Sequence, residues 1–259
     1  MPRKEKIRNM FDSIAPEYDK LNHLMSLDID RSWRKRALKR IFSPSEAEKA
    51  VDPDCSHLQV LDIACGTGDF SVAIAREMLK RGGKGSGTPG GHITGLDLSE
   101  GMLKIMGEKI QAEGYDGFVS YETGDCEALR FGDGTFDRVT VAFGVRNFEN
   151  REQGLREMLR VLKPGGKLVI LELSVPSNAV IRWCFNLYFL HVLPLIGGRI
   201  SGDKAAYRYL PASVLNFPGK KAFMQTLREC GYCNVSHKAF TLGVCRMYTA
   251  EKSASGSRE

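Results

Sequence analysis

The chain has 259 residues, 42% hydrophobic and 26% charged, the make-up of an ordinary soluble globular chain large enough for one α/β domain with appendages. Seven cysteines without framework spacing and an N-terminus reading Met-Pro-Arg-Lys-Glu-Lys-Ile-Arg, with no apolar signal region, argue against secretion and for a reducing, cytoplasmic setting. The net charge is +6, and residues 1–41 hold most of the surplus, with eleven Lys/Arg against six Asp/Glu; such a region either attracts anionic lipid or nucleic acid or is a solvated helix face.

Residues 6–42 carry a helical, mixed polar and apolar pattern, and Asp52-Pro-Asp-Cys-Ser56 is turn chemistry that separates them from the first strand. Short apolar runs then alternate with helical stretches: a strand at 59–64, helix 69–81, strand 92–97, helix 99–113, strands 118–122 and 136–143, helix 150–162 and strand 167–173. The glycine-rich segment 81–91 lacks the order of a P-loop and reads as a surface loop. Residues 178–200 form an apolar helical excursion, and a basic and aromatic loop runs to about 218. Arg182, Asn186, His191 and Pro194 interrupt the most apolar part, so no transmembrane helix is expected there, although it can lie on a membrane. Helix 220–230 and strands 233–240 and 243–250, an antiparallel hairpin, end the fold. The alternation implies a doubly wound parallel sheet. The expected division is a helical extension and lid at 1–51, a core at 52–252 with a substrate-binding insertion at about 176–218, and a tail at 253–259.

Val60-Leu-Asp-Ile-Ala-Cys-Gly-Thr-Gly-Asp69 followed by Ile93-Thr-Gly-Leu-Asp97 marks a nucleoside-cofactor site. Glycines let the backbone approach a flat ligand, and the acid ending the second strand can grip a ribose diol. A nicotinamide site usually has a third glycine, which Gly66-Thr67-Gly68-Asp-Phe-Ser71 lacks. Asp62 and Asp69 beside the turn would repel a pyrophosphate but not a cationic, phosphate-free ligand. S-adenosylmethionine meets that description, with Asp97 on the ribose and Gly124-Asp125-Cys126 placed to read the adenine.

Several further motifs carry a narrower resemblance. Tyr18-Asp-Lys-Leu-Asn22-His-Leu-Met-Ser26 with Trp33, Phe143-Gly-Val-Arg146-Asn147, the run from Arg160 through Glu172 to Ser174, and Tyr207-Arg-Tyr-Leu210 together resemble the quinone-biosynthesis C-methyltransferases of the UbiE/MenG type, within the class I S-adenosylmethionine-dependent methyltransferases. The resemblance spans about Phe11 to Met247. It implies a seven-stranded, Rossmann-like α/β sheet, mostly parallel, with the C-terminal antiparallel hairpin and an N-terminal helical extension. Two positions depart from the family pattern. Asp30 stands where a histidine is usual and is expected on the solvent face of a basic helix; Ala142 stands where a serine is frequent and leaves only backbone for the cofactor.

The implied reaction methylates a ring carbon of a prenylated demethylquinol, and the site must align the reacting atoms and favour a phenolate. Arg146 and Asn147 follow the fourth strand, whose carboxyl end faces the ligand crevice. Arg146 is a fixed cation and a poor base, so water, Tyr18, His23 or Tyr207 takes the proton, a choice that stays open. A salt bridge to a neighbouring acid is the competing role for Arg146. Trp183, Phe185, Leu187, Tyr188, Phe189, Leu190, Leu193 and Ile196 offer an apolar trough for the prenyl tail or ordinary packing, and transient membrane-surface contact is expected from them and the basic N-terminus.

Cys230-Gly-Tyr-Cys233 closes a helix rather than opening one, against the usual placement of a redox pair, and no second pair completes a zinc set. The rival readings are a class I methyltransferase acting on another small phenolic or lipid acceptor, a nicotinamide oxidoreductase, and a methyl-donor-binding module acting on nucleic acid or only as an interaction protein. The nucleic-acid reading falls because the fourth strand ends in Ala-Phe-Gly-Val-Arg-Asn rather than the Asn/Asp-Pro-Pro-aromatic turn that holds a flipped base. No nucleic-acid partner is expected; menaquinone is favoured over ubiquinone, and a homo-oligomer stays open.

Overall fold

Strands buried on both faces read as unbroken apolar runs, and Gln59–Ile63 (β1) is buried from its second residue onward. A computed structural model describes residues 4–19, 22, 26, 28–45, 57–81, 90–192 and 204–254, the side chains of 192 and 204–208 excepted. Among the described residues, α1 (Lys4–Ile14), a 3-10 turn at Ala15–Glu17 and α2 (Ile29–Ile41) precede β1. The core continues as α3 (Asp69–Arg81), β2 (His92–Asp97), α4 (Glu100–Glu113), β3 (Val119–Thr123), β4 (Phe136–Ala142), α5 (Arg151–Val161) and β5 (Leu162–Leu173). Beyond it come α6 (Ala179–Leu187), a π turn (Tyr188–Val192), α7 (Lys204–Leu215), α8 (Lys220–Glu229), β6 (Cys233–Phe240) and β7 (Cys245–Glu251).

The seven strands run β3-β2-β1-β4-β5-β7-β6, with β7 antiparallel to both neighbours and the other pairings parallel. This is the expected doubly wound sheet with its terminal hairpin. One apolar layer joins Val60, Ile93, Val169 and Leu171 to α2, α3 and α4; the other joins Leu61, Ile63, Val139, Val141 and Ile170 to α5 and α8. A third cluster, including Ile14, Met102, Phe185, Phe189 and Val214, packs α1, α4, α6 and α7 together.

Two buried cations pin α2 to the sheet. Arg138 on β4 is fully buried, and its Nε donates to the Ile41 carbonyl at 2.8 Å. Lys167 on β5 donates through Nζ to the Ser43 carbonyl at 2.7 Å and the Pro44 carbonyl at 3.1 Å. Both satisfy carbonyls at the negative end of α2, where a cation is favoured.

Three expectations change. The continuous helical reading of 6–42 is interrupted between α1 and α2 by the 3-10 turn. The loop read up to 218 contains α7, whose pattern is broken in sequence by an internal Pro211. The fifth strand begins at Leu162 rather than 167, because the Lys-Pro-Gly-Gly bend is part of it. Residues 82–89 of the glycine-rich loop lie outside the described residues. Among the described residues, no helix is long and apolar enough to cross a membrane.

Candidate active site

The turn after β1 is built by backbone that ordinary residues avoid. Gly66 and Gly68 have φ of +57° and +80°, and a Cβ on Gly68 would stand 2.5 Å from Met106 Cγ. Ala64 and Phe143, ending β1 and β4, also lie in the left-handed region, with φ of +52° and +63°. Strained residues of this kind persist where the surrounding structure holds them, and they cluster at functional sites.

A cleft of about 750 Å³, counting its open mouth, lies across the carboxyl ends of β1, β2, β3 and β4. Gly66, Asp97, Asp125, Cys126, Ala142 and Asn147 line it. Asp97 is oriented by two amides: Gly66 N–H donates to Oδ2 at 2.8 Å and Ser99 N–H to Oδ1 at 2.9 Å. Burial nevertheless pushes its carboxyl above the usual range. Helix α1 covers one side, and Lys4 Nζ reaches Asp125 at 2.6 Å and Glu127 at 2.7 Å. Burial works against the Lys4 charge, but the two carboxylates outweigh it and hold the ammonium above its ordinary value.

Asp62 lies beneath this cleft. It is 1% exposed and accepts from Ser71 Oγ at 2.6 Å and Thr140 Oγ1 at 2.8 Å. Burial raises its pKa to about 6, more than these bonds lower it. A narrower recess of about 360 Å³ beside the turn is lined by Tyr18, Arg34, Asp62, Gly66, Thr67 and Asp69 among others. Ion pairs tie it to the N-terminal region: Arg34 Nη1 lies 2.7 Å from Asp30 and 3.2 Å from Asp69, and Lys109 Nζ lies 2.5 Å from Asp69 and 2.6 Å from Asp19. Thr67 Oγ1 donates to Asp19 at 2.5 Å.

A second cleft, about 610 Å³, adjoins the first and shares Tyr18 and Phe143 with it. Trp33, Leu173, Phe189 and Leu210 supply its apolar walls, and Asn22, Ser26, Asp30, Arg34 and Arg146 its polar groups. Arg146 Nη1 pairs with Glu172 Oε1 at 2.6 Å, the two side chains being 6% and 0% exposed, and it also donates to the Phe143 carbonyl. Its Nε has no partner among the described residues. Tyr209 donates to Asn147 Oδ1 at 2.8 Å. Burial raises the Tyr18 and Tyr209 phenols, with the charge of Arg146 opposing in both.

The ubiE/COQ5 methyltransferase family model matches residues 2–252. The chain belongs to this family. The ubiquinone/menaquinone biosynthesis C-methyltransferase UbiE of Geobacter sulfurreducens is 44% identical over 248 residues, which cover 96% of this chain and 89% of the relative. The demethylmenaquinone methyltransferase of Bacteroides fragilis is 40% identical over 250 residues, covering 96% and 94%. Among solved structures, the cyclase SpnF matches with a TM-score of 0.69 at 15% identity, over 98% of each chain. Phosphoethanolamine N-methyltransferase 2 of Haemonchus contortus, in complex with S-adenosyl-L-methionine, gives 0.58 at 16% identity over 86% of this chain and 52% of that one. At such identities the likeness concerns the fold.

In this ubiE/COQ5 family member, the residues expected from sequence divide between the two clefts. Gly66, Asp97, Asp125, Cys126 and Ala142 line the first, Arg146 the second, and Tyr18 both, while Asn147 lines the first and is bonded to Tyr209. Thr67 and Asp62 face the recess; Gly68 shapes the turn. His23 and the side chain of Tyr207 lie outside the described residues. The expected trough splits. Phe185 and Phe189 stack inward at 4.5 Å, whereas Trp183, Leu187 and Leu190 point to solvent; Leu193 and Ile196 lie outside the described residues.

Asp30 corrects its expectation: it is 4% exposed, lines the second cleft, and accepts from Ser26 Oγ at 2.6 Å besides Arg34. A carboxylate can be buried there because Arg34, one turn on, faces the same way. The charge argument for Asp69 is also revised, since Arg34 and Lys109 neutralise it. Sequence reasoning passed over Arg34 and Tyr209. The i,i+4 spacing of Asp30 and Arg34 was the one available signal for the first.

Proposed function

We propose that this protein transfers the methyl group of S-adenosylmethionine to a ring carbon of a prenylated quinol, converting demethylmenaquinol to menaquinol. The observation that carries the reading is the junction of two clefts at Tyr18 and Phe143, one across the strand ends and one walled by apolar side chains around Arg146, Arg34 and Asp30. Membership of the ubiE/COQ5 family supports it. The demethylmenaquinone methyltransferases of Bacteroides fragilis and Deinococcus radiodurans, each 40% identical, favour the menaquinone substrate.

The residues of the first cleft fit the cofactor. Asp97 would hold the ribose diol, Asp125 and Cys126 the adenine, and Gly66 with Ala142 the central part through backbone. Arg34 and Asp62, of opposite charge in one recess, suit a zwitterionic amino-acid end. When bound, S-adenosylmethionine supplies an electrophilic methyl group on a cationic sulfur. The protein needs to align it with the ring carbon and exclude water, the larger contributions in such a transfer.

Arg146 stabilises negative charge on the ring oxygen, and Asn147, held by Tyr209, orients it. Burial keeps Tyr18 a neutral phenol, which makes it a donor rather than a base. Asp30 is the carboxylate lining the second cleft, and it takes the phenolic proton while the ring carbon's electron pair forms the new carbon–carbon bond as the sulfur–methyl bond breaks. The ring C–H proton then leaves to water, which restores the aromatic quinol. The prenyl tail lies along Phe189, Leu210 and Leu173. Val180, Trp183 and Leu187, exposed on α6, contact the membrane surface where such a substrate resides.

Mass spectrometry of lipid quinones from cells lacking the protein tests the reading. Accumulated demethylmenaquinone is the expected result, and an unchanged quinone pool overturns it.

A further inference from the structure

A cavity remote in character from the two clefts opens between the segment after β5 and the start of α8. It encloses about 860 Å³ with its mouth and is lined by Ser174, Ser177, Phe217, Lys220, Lys221 and Arg246, among others, with no carboxylate among its lining residues. Arg246 is the decisive feature. It is 5% exposed, yet among the described residues its guanidinium has no ion pair, and its bond from Nη2 to Ser177 Oγ is a long 3.4 Å.

The acid opposite it in the sheet is Glu172, its register partner on β5. That carboxylate is already engaged by Arg146 and by the Leu173 N–H. Architecture, not a counter-ion, keeps Arg246 in place. Gly243, at φ +96°, brings bare backbone against it, and a Cβ there would stand 3.3 Å from Nη2. Ser174 Oγ fixes this turn by donating to the Gly243 carbonyl at 2.6 Å. A buried cation with no counter-ion among the described residues is disfavoured, so the arrangement suits an anion.

The opposite wall points the same way. Helix α8 begins Lys220-Lys221 with no side-chain cap from Gly219, which puts two cations at the positive end of a helix, where acids are normally favoured. The field extends outward: His237 is held below its ordinary value by burial and then by the charges of Arg246 and Lys220.

We propose that this cavity is a phosphate-binding site, with Arg246, Lys220, Lys221 and Ser177 as its donors. Two sources offer that chemistry, free phosphate and a phospholipid headgroup. Helix α6 starts two residues after Ser177 and exposes Val180, Trp183 and Leu187, so a headgroup held here would place that stripe at the same lipid surface.

The test uses the full chain and two probes: calorimetry with inorganic phosphate, and co-sedimentation with phosphatidylglycerol against phosphatidylcholine vesicles. The Lys220→Ala/Lys221→Ala double variant weakens binding roughly tenfold or more, the loss expected for charge-assisted contacts. Its kcat/KM on a detergent-dispersed quinol is unchanged. A Lys80→Ala/Lys104→Ala control, which removes the same charge elsewhere, keeps wild-type binding. Arg246→Gln loses the phosphate response as well, and the double variant decides the matter alone if that protein does not fold. Binding of inorganic phosphate names the free anion and binding of phosphatidylglycerol vesicles alone names the headgroup, and either supports the site. Absence of binding to both probes, or equal binding losses in the test and control doubles, overturns it.

Discussion

Breaking the Arg146–Glu172 pair from each side in turn shows how the second cleft is held. The two charges lie 2.6 Å apart with almost no exposure. Glu172 also accepts the backbone N–H of Arg146 at 3.1 Å and of Leu173 at 2.9 Å. Glu172→Met leaves the guanidinium buried with its Nε already unpartnered among the described residues, and Arg146→Met leaves a carboxylate with, among the same residues, those amides alone. Orphaning one member of such a pair costs about 3–5 kcal/mol, whereas replacing both by apolar side chains is often near neutral. Each single variant should therefore unfold roughly 10 °C earlier, at about 2–4 °C per kcal/mol for a chain of this size. The double variant should lose less than either, a coupling of about 3 kcal/mol.

Denaturant unfolding with unchanged m-values supplies the free energies for the cycle. The same proteins separate stability from chemistry: Arg146→Met should bind S-adenosylhomocysteine within about twofold of wild type while losing turnover, since Arg146 does not line the first cleft. Single variants costing under about 1 kcal/mol, or a double variant equal to the sum of the singles, would refute the coupling. Retained turnover in Arg146→Met would remove the arginine from the reaction.

Asp62, with its pKa raised to about 6 from 3.8, lowers stability when ionised. The penalty is absent below the unfolded value, grows from about pH 4 to 6 and is full above that, to roughly 3 kcal/mol. Asp62→Asn should gain on wild type across that window, less the cost of a poorer acceptor for Ser71 and Thr140, and a pH-independent difference would contradict it. Asp97→Ala should weaken S-adenosylhomocysteine binding about 100-fold by calorimetry, since it loses a charged acceptor and frees the Gly66 amide; a change under about fivefold would deny it the ribose. Asp30→Asn should cut kcat about 10²–10⁴-fold at neutral pH, with the deficit shrinking as rising pH ionises the quinol unaided. A pH-independent deficit would remove Asp30 as proton acceptor.

The sheet was legible because its strands are buried on both faces. Val60, Leu61 and Ile63 pack into opposite layers, so the sequence shows an apolar run whichever face is asked about. Helix α3 matched to the residue, since the glycine turn fixes its start and glycines follow its end. Gly66, Asp97, Asp125 and Ala142 were legible for a related reason: each sits within a few residues of a strand's carboxyl end, where a doubly wound fold places its ligands. What escaped depends on distance along the chain. Asp30 becomes a cleft residue because α2 folds back on the sheet, and Tyr209 meets Asn147 across 62 positions. Arg138 and Lys167 carry charge on central strands, a pattern that argues against burial until the carbonyls ending α2 are seen to need them.

Those two cations make the N-terminal extension part of the site rather than an attachment to it. They fix the end of α2, whose Trp33 lies 6.1 Å from the Phe143 ring and donates from Nε1 to Thr241 Oγ1 at 2.8 Å. Arg34 sits over the same ring at 5.7 Å. From the sheet side, the Phe143 N–H is held by the Leu171 carbonyl at 2.8 Å. A residue at φ +63° is thus clamped between α2 and the sheet. Since Phe143 is a wall of both clefts, any loosening of α2 relaxes the strained residue between them. The dimensions of the junction between the clefts are then set by contacts between elements far apart in the chain, and substitutions at the buried Arg138 or Lys167 should change turnover without touching either cleft.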